Sequence, residues 1–183
     1  MNLDPDGLLE RWCNQWPNGV VRGRAITGHL WIRKYDHAMI RLRATVLRHP
    51  VQRLISHYFF WLSPVSLPEH PLRSYALKHQ LDIVQFAQLP IIRMFYADHL
   101  FRGVDMRSFD FICDSRDLSN DWSHILNRLG LDVRDRTEVN TTRSHVADYH
   151  ERRGDIVSNL PLMRRLEDFL ADDIRFYENA LGS

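Results

Sequence analysis

The alternation of apolar and polar positions changes period at Pro50. Before it, Ala44-Thr45-Val46-Leu47 is a short β-rich run stopped by Arg48-His49-Pro50, which predicts a buried strand. After it, Val51, Leu54, Ile55, Tyr58, Phe59 and Leu62 recur at helical spacing, which predicts one apolar helix face. Proline suits the first turn of that helix because its missing N–H would have no partner there. Ser63-Pro64 ends the helix, and three prolines make residues 64–71 a loop.

The remaining pattern predicts helices over 72–82 and 91–101, with Arg102-Gly103 as the stop. Phe109-Asp110-Phe111-Ile112-Cys113 predicts a second strand, and Asp117 to Leu129 a helix closed by Gly130. Residues 132–155 read as polar and irregular. A last helix is predicted from Leu160 to Leu181, with Met163, Leu166, Leu170, Ile174, Tyr177 and Leu181 on its buried stripe. Upstream, residues 8–16 suggest a short helix ended by Pro17-Asn18-Gly19, and Val20 to Ile32 a loop or short strand. Strands alternating with helices imply an α/β domain with a parallel sheet, although two clear strands are few for one.

Composition narrows the class. The chain has 183 residues, 44% hydrophobic and 26% charged, which suits one globular domain and excludes a disulfide scaffold, a collagen and a disordered tail. No apolar run approaches the roughly 20 residues of a membrane span, and the acidic Met1–Asp6 start is not that of a leader peptide. Cys13 and Cys113 have no metal-ligand spacing, and Cys113 sits in an apolar run, so a buried inert thiol and a cytoplasmic, reducing location are expected. The net charge of +1 argues against nucleic acid as a partner. Of the 24 basic residues only Lys34 and Lys78 are lysines. Base composition of the gene accounts for such a bias; bidentate recognition of phosphate or sulfate by arginine is the alternative. The ten histidines form neither HExxH nor a paired HxH.

The most informative stretch is Thr45 to Phe60. A buried strand delivers Arg48 at its carboxyl end, where open α/β sheets bind ligands, and a helix N-terminus that favours an anion follows at once. Arg48 would clamp that anion, and Ser56 could donate a hydroxyl from the helix. An ordinary strand–loop–helix with solvated arginines has the same pattern.

Leu47-Arg48-x-Pro50-x-x-Arg53-x-x-Ser56-x-Tyr58 resembles the 3′-phosphate-binding motif of sulfotransferases that use 3′-phosphoadenosine 5′-phosphosulfate (PAPS). Thr27-Gly28-His29 resembles the Gly-His segment of the uronosyl 2-O-sulfotransferase-like branch. Phe109–Ile112, Asp117-Leu118, Leu129-Gly130-Leu131, Val139-Asn140 and Asp172–Tyr177 resemble its later elements, so the likeness spans about residues 26–181. The resemblance implies a three-layer P-loop nucleotide-kinase-like fold and sulfuryl transfer from PAPS to a hydroxyl, that of a carbohydrate acceptor. It also implies the 3′-phosphate on Arg48 and Ser56, His29 as the base on the acceptor hydroxyl, and no metal. The companion histidine of some members is Thr27 here. A histidine suits the role because imidazole titrates near neutral pH.

The family's first strand–phosphate loop–helix, with Pro-Lys-x-Gly-x-Thr-Ser, has no counterpart among these residues. Gly23-Arg-Ala-Ile-Thr-Gly28 has phosphate-loop glycine spacing, but His29-Leu30 stand where Lys-Ser/Thr should be. A shortened, non-catalytic member that binds nucleotide or protein is therefore the rival reading. Core exposed by a missing strand would favour a homo-oligomer or another partner chain. Arg152-Arg153-Gly154 is expected in a solvated turn, the Arg153-Gly154-Asp155 tripeptide to be fortuitous, and Asp168, Asp172 and Asp173 to form a solvated face rather than a metal site.

Overall fold

The joint at Pro50 is real in the computed structural model, which describes residues 42–63, 70–117, 124–125, 127–128 and 148–182. Strand β1 (Ala44–Leu47) is followed by helix α1 (Pro50–Leu62), with Pro50 in its first turn and His49 at the N-cap. Then come α2 (Pro71–Lys78), α3 (Ile83–Ala87), α4 (Pro90–Arg93), a π-helical turn (Phe95–Leu100) and a 3₁₀ turn (Met106–Ser108). Strand β2 (Phe111–Asp114) and helices α5 (Tyr149–Ser158), α6 (Leu160–Phe169) and α7 (Ala171–Leu181) complete the described elements. The architecture is mixed α/β, mostly helical, with a small parallel sheet.

The sheet pairs β1 with β2 in parallel, with Ala44 opposite Phe111 and Leu47 opposite Asp114. A parallel pair needs a long crossover, and here α1 to the 3₁₀ turn supplies it. One end of the register is set below Ala44, where the Arg43 amide donates to the Asp110 carboxylate at 2.9 Å and the Arg43 carbonyl accepts from the Asp110 amide at 2.9 Å. β2 is consequently displaced two residues at its start from the strand expected at Phe109, because Asp110 turns its carboxylate to the backbone.

Among the described residues, two apolar clusters make the core. Val51, Leu54, Ile55 and Phe59 of α1 pack with Leu72 and Ala76 of α2, Phe86 of α3, Ile92 of α4 and Leu166 of α6. Leu47, Phe95, Tyr96, Phe101 and Tyr177 form the second cluster, at the carboxyl end of the sheet. Burial of Leu54, Ile55, Phe59, Leu166 and Leu170 to 2% exposure or less agrees with the helical stripes read from sequence.

Several boundaries differ from expectation. The helix predicted over 72–82 ends at Lys78, Gln80 takes φ 49°, and α3 starts afresh on a reciprocal cap in which Asp82 accepts from the Gln85 amide and Gln85 accepts from the Asp82 amide. The stretch 91–101 divides into α4 and the π-helical turn, and Gly103, at φ 68°, makes the expected stop. The region expected to be irregular to residue 155 becomes α5 from Tyr149, so Arg152 and Arg153 lie on a helix and not in a turn. Arg152 covers the Phe59 ring and Arg153 donates to the Gln52 side chain at 2.8 Å. The last helix breaks at Leu170, whose amide is shared between the Leu166 and Glu167 carbonyls at 3.1 Å each, a tightening that ends α6. The elements expected over 8–16 and 20–32, and all but five residues of the helix expected over 117–129, lie outside the described residues.

Candidate functional site

The carboxyl ends of β1 and β2 are side by side, so the residues just after each strand share one edge of the molecule. Alternation along β1 decides which way each points. Leu47 is fully buried, whereas the Arg48 side chain is exposed. Among the described residues no carboxylate forms an ion pair with Arg48. Arg48 lies two residues before Pro50, at the approach to the N-terminus of a 13-residue helix, where amides without intrahelical partners add positive potential.

The backbone of Arg48 is held by one side chain. Its amide donates to the Tyr96 hydroxyl at 3.0 Å, and the same hydroxyl donates to its carbonyl at 3.0 Å. Burial pushes the Tyr96 phenol above its ordinary pKa, so it keeps the proton it donates. His49 follows, half-buried, with its ring edge-on to Tyr177 at 5.4 Å. Burial, then the nearby Arg116 charge, lower its pKa and favour the neutral imidazole.

Across the edge, Asp114 ends β2 and binds Arg116 through an Asx-type turn. Its carboxylate accepts from the Arg116 amide at 2.8 Å and from Nε and Nη2 of the guanidinium at 2.9 and 2.6 Å. The Tyr177 hydroxyl donates to the same carboxylate, and Arg116 Nη2 reaches Tyr177 at 3.2 Å. Burial alone would raise the Asp114 pKa; hydrogen bonds from Arg116 and Tyr177 outweigh it and hold the group at about 2. Burial, then Asp114, push Tyr177 up to about 12. Among the described residues this edge thus carries Arg116, neutralised by Asp114, and Arg48, which no carboxylate neutralises.

Behind the edge lies a buried ion pair. Arg53 Nη2 donates to Asp173 at 3.0 Å and to the Ile92 carbonyl at 2.8 Å. Asp173 also accepts from the Tyr96 amide at 3.0 Å and the Ala97 amide at 2.9 Å. The guanidinium lies over the Phe95 and Tyr96 rings at 4.3 and 4.9 Å. Burial, opposed by Arg53 and the three amides of Phe95, Tyr96 and Ala97, raises the Asp173 pKa above the usual carboxylate value. Asp173 is 0% exposed, which corrects the expectation of a solvated face there; Asp168 and Asp172 are exposed, as that expectation requires. Arg53 is likewise no solvated arginine, being 3% exposed.

Of the residues singled out from sequence, Arg48 is at the strand end and exposed, and Ser56 is half-buried on α1. Ser56 lies six residues beyond Pro50, a rise of about 9 Å along the helix, so a ligand reaching both must lie along its first two turns. His29 falls outside the described residues, as do Lys34 and Cys13. Cys113 is a free thiol, buried as expected. Among the described residues no group of three or more His, Cys, Asp or Glu side chains could hold a metal ion, and no helix is long and apolar enough to cross a membrane.

Sequence reasoning missed Tyr96, Asp114, Arg116, Tyr177 and Asp173 as participants. A signal existed for Asp173, since Leu166, Leu170, Asp173 and Tyr177 recur at i, i+4, i+7 and i+11 on the buried stripe. A carboxylate on that stripe needs a cation. Asp114-Ser115-Arg116 had the weaker signature of an Asx turn after a strand. Nothing in the order of residues linked Tyr96 to Arg48. Comparisons with protein-family models, with curated proteins and with solved structures found no match.

Proposed function

We propose that the chain is a PAPS-dependent sulfotransferase-type domain that binds the donor nucleotide through its 3′-phosphate at the carboxyl end of β1. The observation that carries this reading is Arg48, exposed and without a carboxylate partner among the described residues, at the strand end that leads into the N-terminus of α1, inside a motif that resembles the family's phosphate clamp. Planar guanidinium and helix amides suit a tetrahedral dianion. In this reading Ser56 adds a hydroxyl donor, and the fold is the family's P-loop nucleotide-kinase-like α/β layer arrangement. The acceptor is a carbohydrate hydroxyl whose oxygen attacks sulfur as the bond to the 5′-phosphate oxygen breaks. His29 takes the hydroxyl proton as general base.

Calorimetry tests the clamp. Adenosine 3′,5′-bisphosphate should bind the wild-type chain more tightly than AMP, which lacks the 3′-phosphate. Charge-assisted hydrogen bonds contribute about 1.5–3 kcal/mol, so Arg48→Ala should weaken the bisphosphate at least about tenfold and leave AMP nearly unchanged. Arg102→Ala is the control, because that exposed side chain pairs with Asp98 on the π-helical turn. His49 does not serve as a control, since its ring packs against Tyr177 at the same edge. Equal affinity for the two nucleotides refutes the reading. Nucleotide preference without transfer of labelled sulfate to any sugar would favour the rival reading, a binding module of the same ancestry.

A further inference from the structure

We propose that Tyr96 is a positioning residue for the anion clamp, its hydroxyl doing what a neighbouring strand would do on the side of Arg48 away from β2 and fixing the peptide that carries Arg48. The inference rests on the 3′-phosphate reading of that edge and adds a residue from a distant part of the chain to it.

The argument begins with strand geometry. Both backbone groups of a strand residue point to the same side, and successive residues alternate. The Leu47 carbonyl accepts from the Ser115 amide at 2.7 Å, so Leu47 faces the β2 side. Arg48 must then direct its amide and carbonyl away from β2. The Tyr96 hydroxyl answers both, each at 3.0 Å, accepting from one and donating to the other. A single hydroxyl thereby does the work of a further strand at Arg48, where the reading places the phosphate's guanidinium contact.

Tyr96 is suited to the task because it cannot drift. Its side chain is buried, and its amide is held by Asp173 at 3.0 Å. Asp173 is in turn paired with Arg53, which leaves the first turn of α1 only three residues after Pro50. The Arg53 guanidinium also lies over the Tyr96 ring. Helix α1, the π-helical turn and α7 are thus tied together directly behind Arg48. Binding a phosphate costs less when its guanidinium springs from backbone that is already ordered.

Tyr96→Phe removes the hydroxyl and keeps the ring. In the full chain, the variant should bind adenosine 3′,5′-bisphosphate about five- to tenfold more weakly, the loss of two ordinary hydrogen bonds, with AMP affinity within about twofold. Hydrogen exchange of the Arg48 amide should accelerate, because its acceptor is gone. Leu72→Ala is the comparison: it lowers stability in the other apolar cluster and should leave the ratio of the two affinities unchanged. Tyr96→Phe with the wild-type ratio, or with unchanged exchange at Arg48, overturns this inference while the clamp reading stands. A wild-type chain without preference for the bisphosphate overturns the clamp reading, and this inference with it.

Discussion

Replacing Asp173 with asparagine tests the buried network at its centre. The carboxylate accepts from Arg53 Nη2 and from the Tyr96 and Ala97 amides at 2.9–3.1 Å with no exposure to water. An asparagine keeps one oxygen for the amides but turns an NH₂ group, or loses the amides, toward the Arg53 donor. The guanidinium is then a buried charge whose remaining acceptor is the Ile92 carbonyl. Breaking one side of a buried pair costs about 3–5 kcal/mol, a large share of the roughly 5–15 kcal/mol that holds a domain together. Arg53→Met should cost less, about 2–4 kcal/mol, because burial already raises the Asp173 pKa and a proton can neutralise the orphaned carboxyl. Having both changes in one chain should cost about 1–3 kcal/mol less than the two costs added, since neither group then lacks a partner of opposite charge. Urea unfolding followed by far-ultraviolet circular dichroism measures all four corners of the cycle. Single costs under about 1 kcal/mol that simply add would mean that the two groups are not a buried pair, and the reasoning would fail.

The second ion pair gives a pH prediction with a definite sign. Asp114 is held at about 2 in the folded chain against about 3.9 when unfolded, so its contribution is complete above pH 4 and is lost as pH falls through about 2. Allowing for the mostly exposed Arg116 partner, that contribution is about 1–2 kcal/mol, and urea midpoints of Asp114→Asn should show less loss of stability from pH 4 to 2 than the parent; parallel curves would refute it. Cys113, 3% exposed, should resist a thiol reagent in native buffer and react on unfolding, and prompt native reaction would contradict its burial.

The local elements were largely legible in the sequence because they depend on neighbours. Strand β1 and helix α1 follow from a change of period at a proline, which needs no knowledge of the rest of the chain. The buried stripe through Leu166, Leu170 and Tyr177 was equally plain, although the break at Leu170 was not, since no glycine or proline marks it. The parallel pairing of the two strands was implied by the helices between them, and its register was not.

Arg48 could be singled out because its place at a strand end is a local property. Its support could not, because Tyr96 is 48 positions away and Asp173 lies 120 from the arginine it pairs with. Burial of a charge follows from where opposite charge and apolar surface meet in space. Arg53 and Asp173 therefore read as solvated in the sequence, each an ordinary charge on its own helix. Packing α7 against α1 and the π-helical turn took both from water, and only together can they stay there.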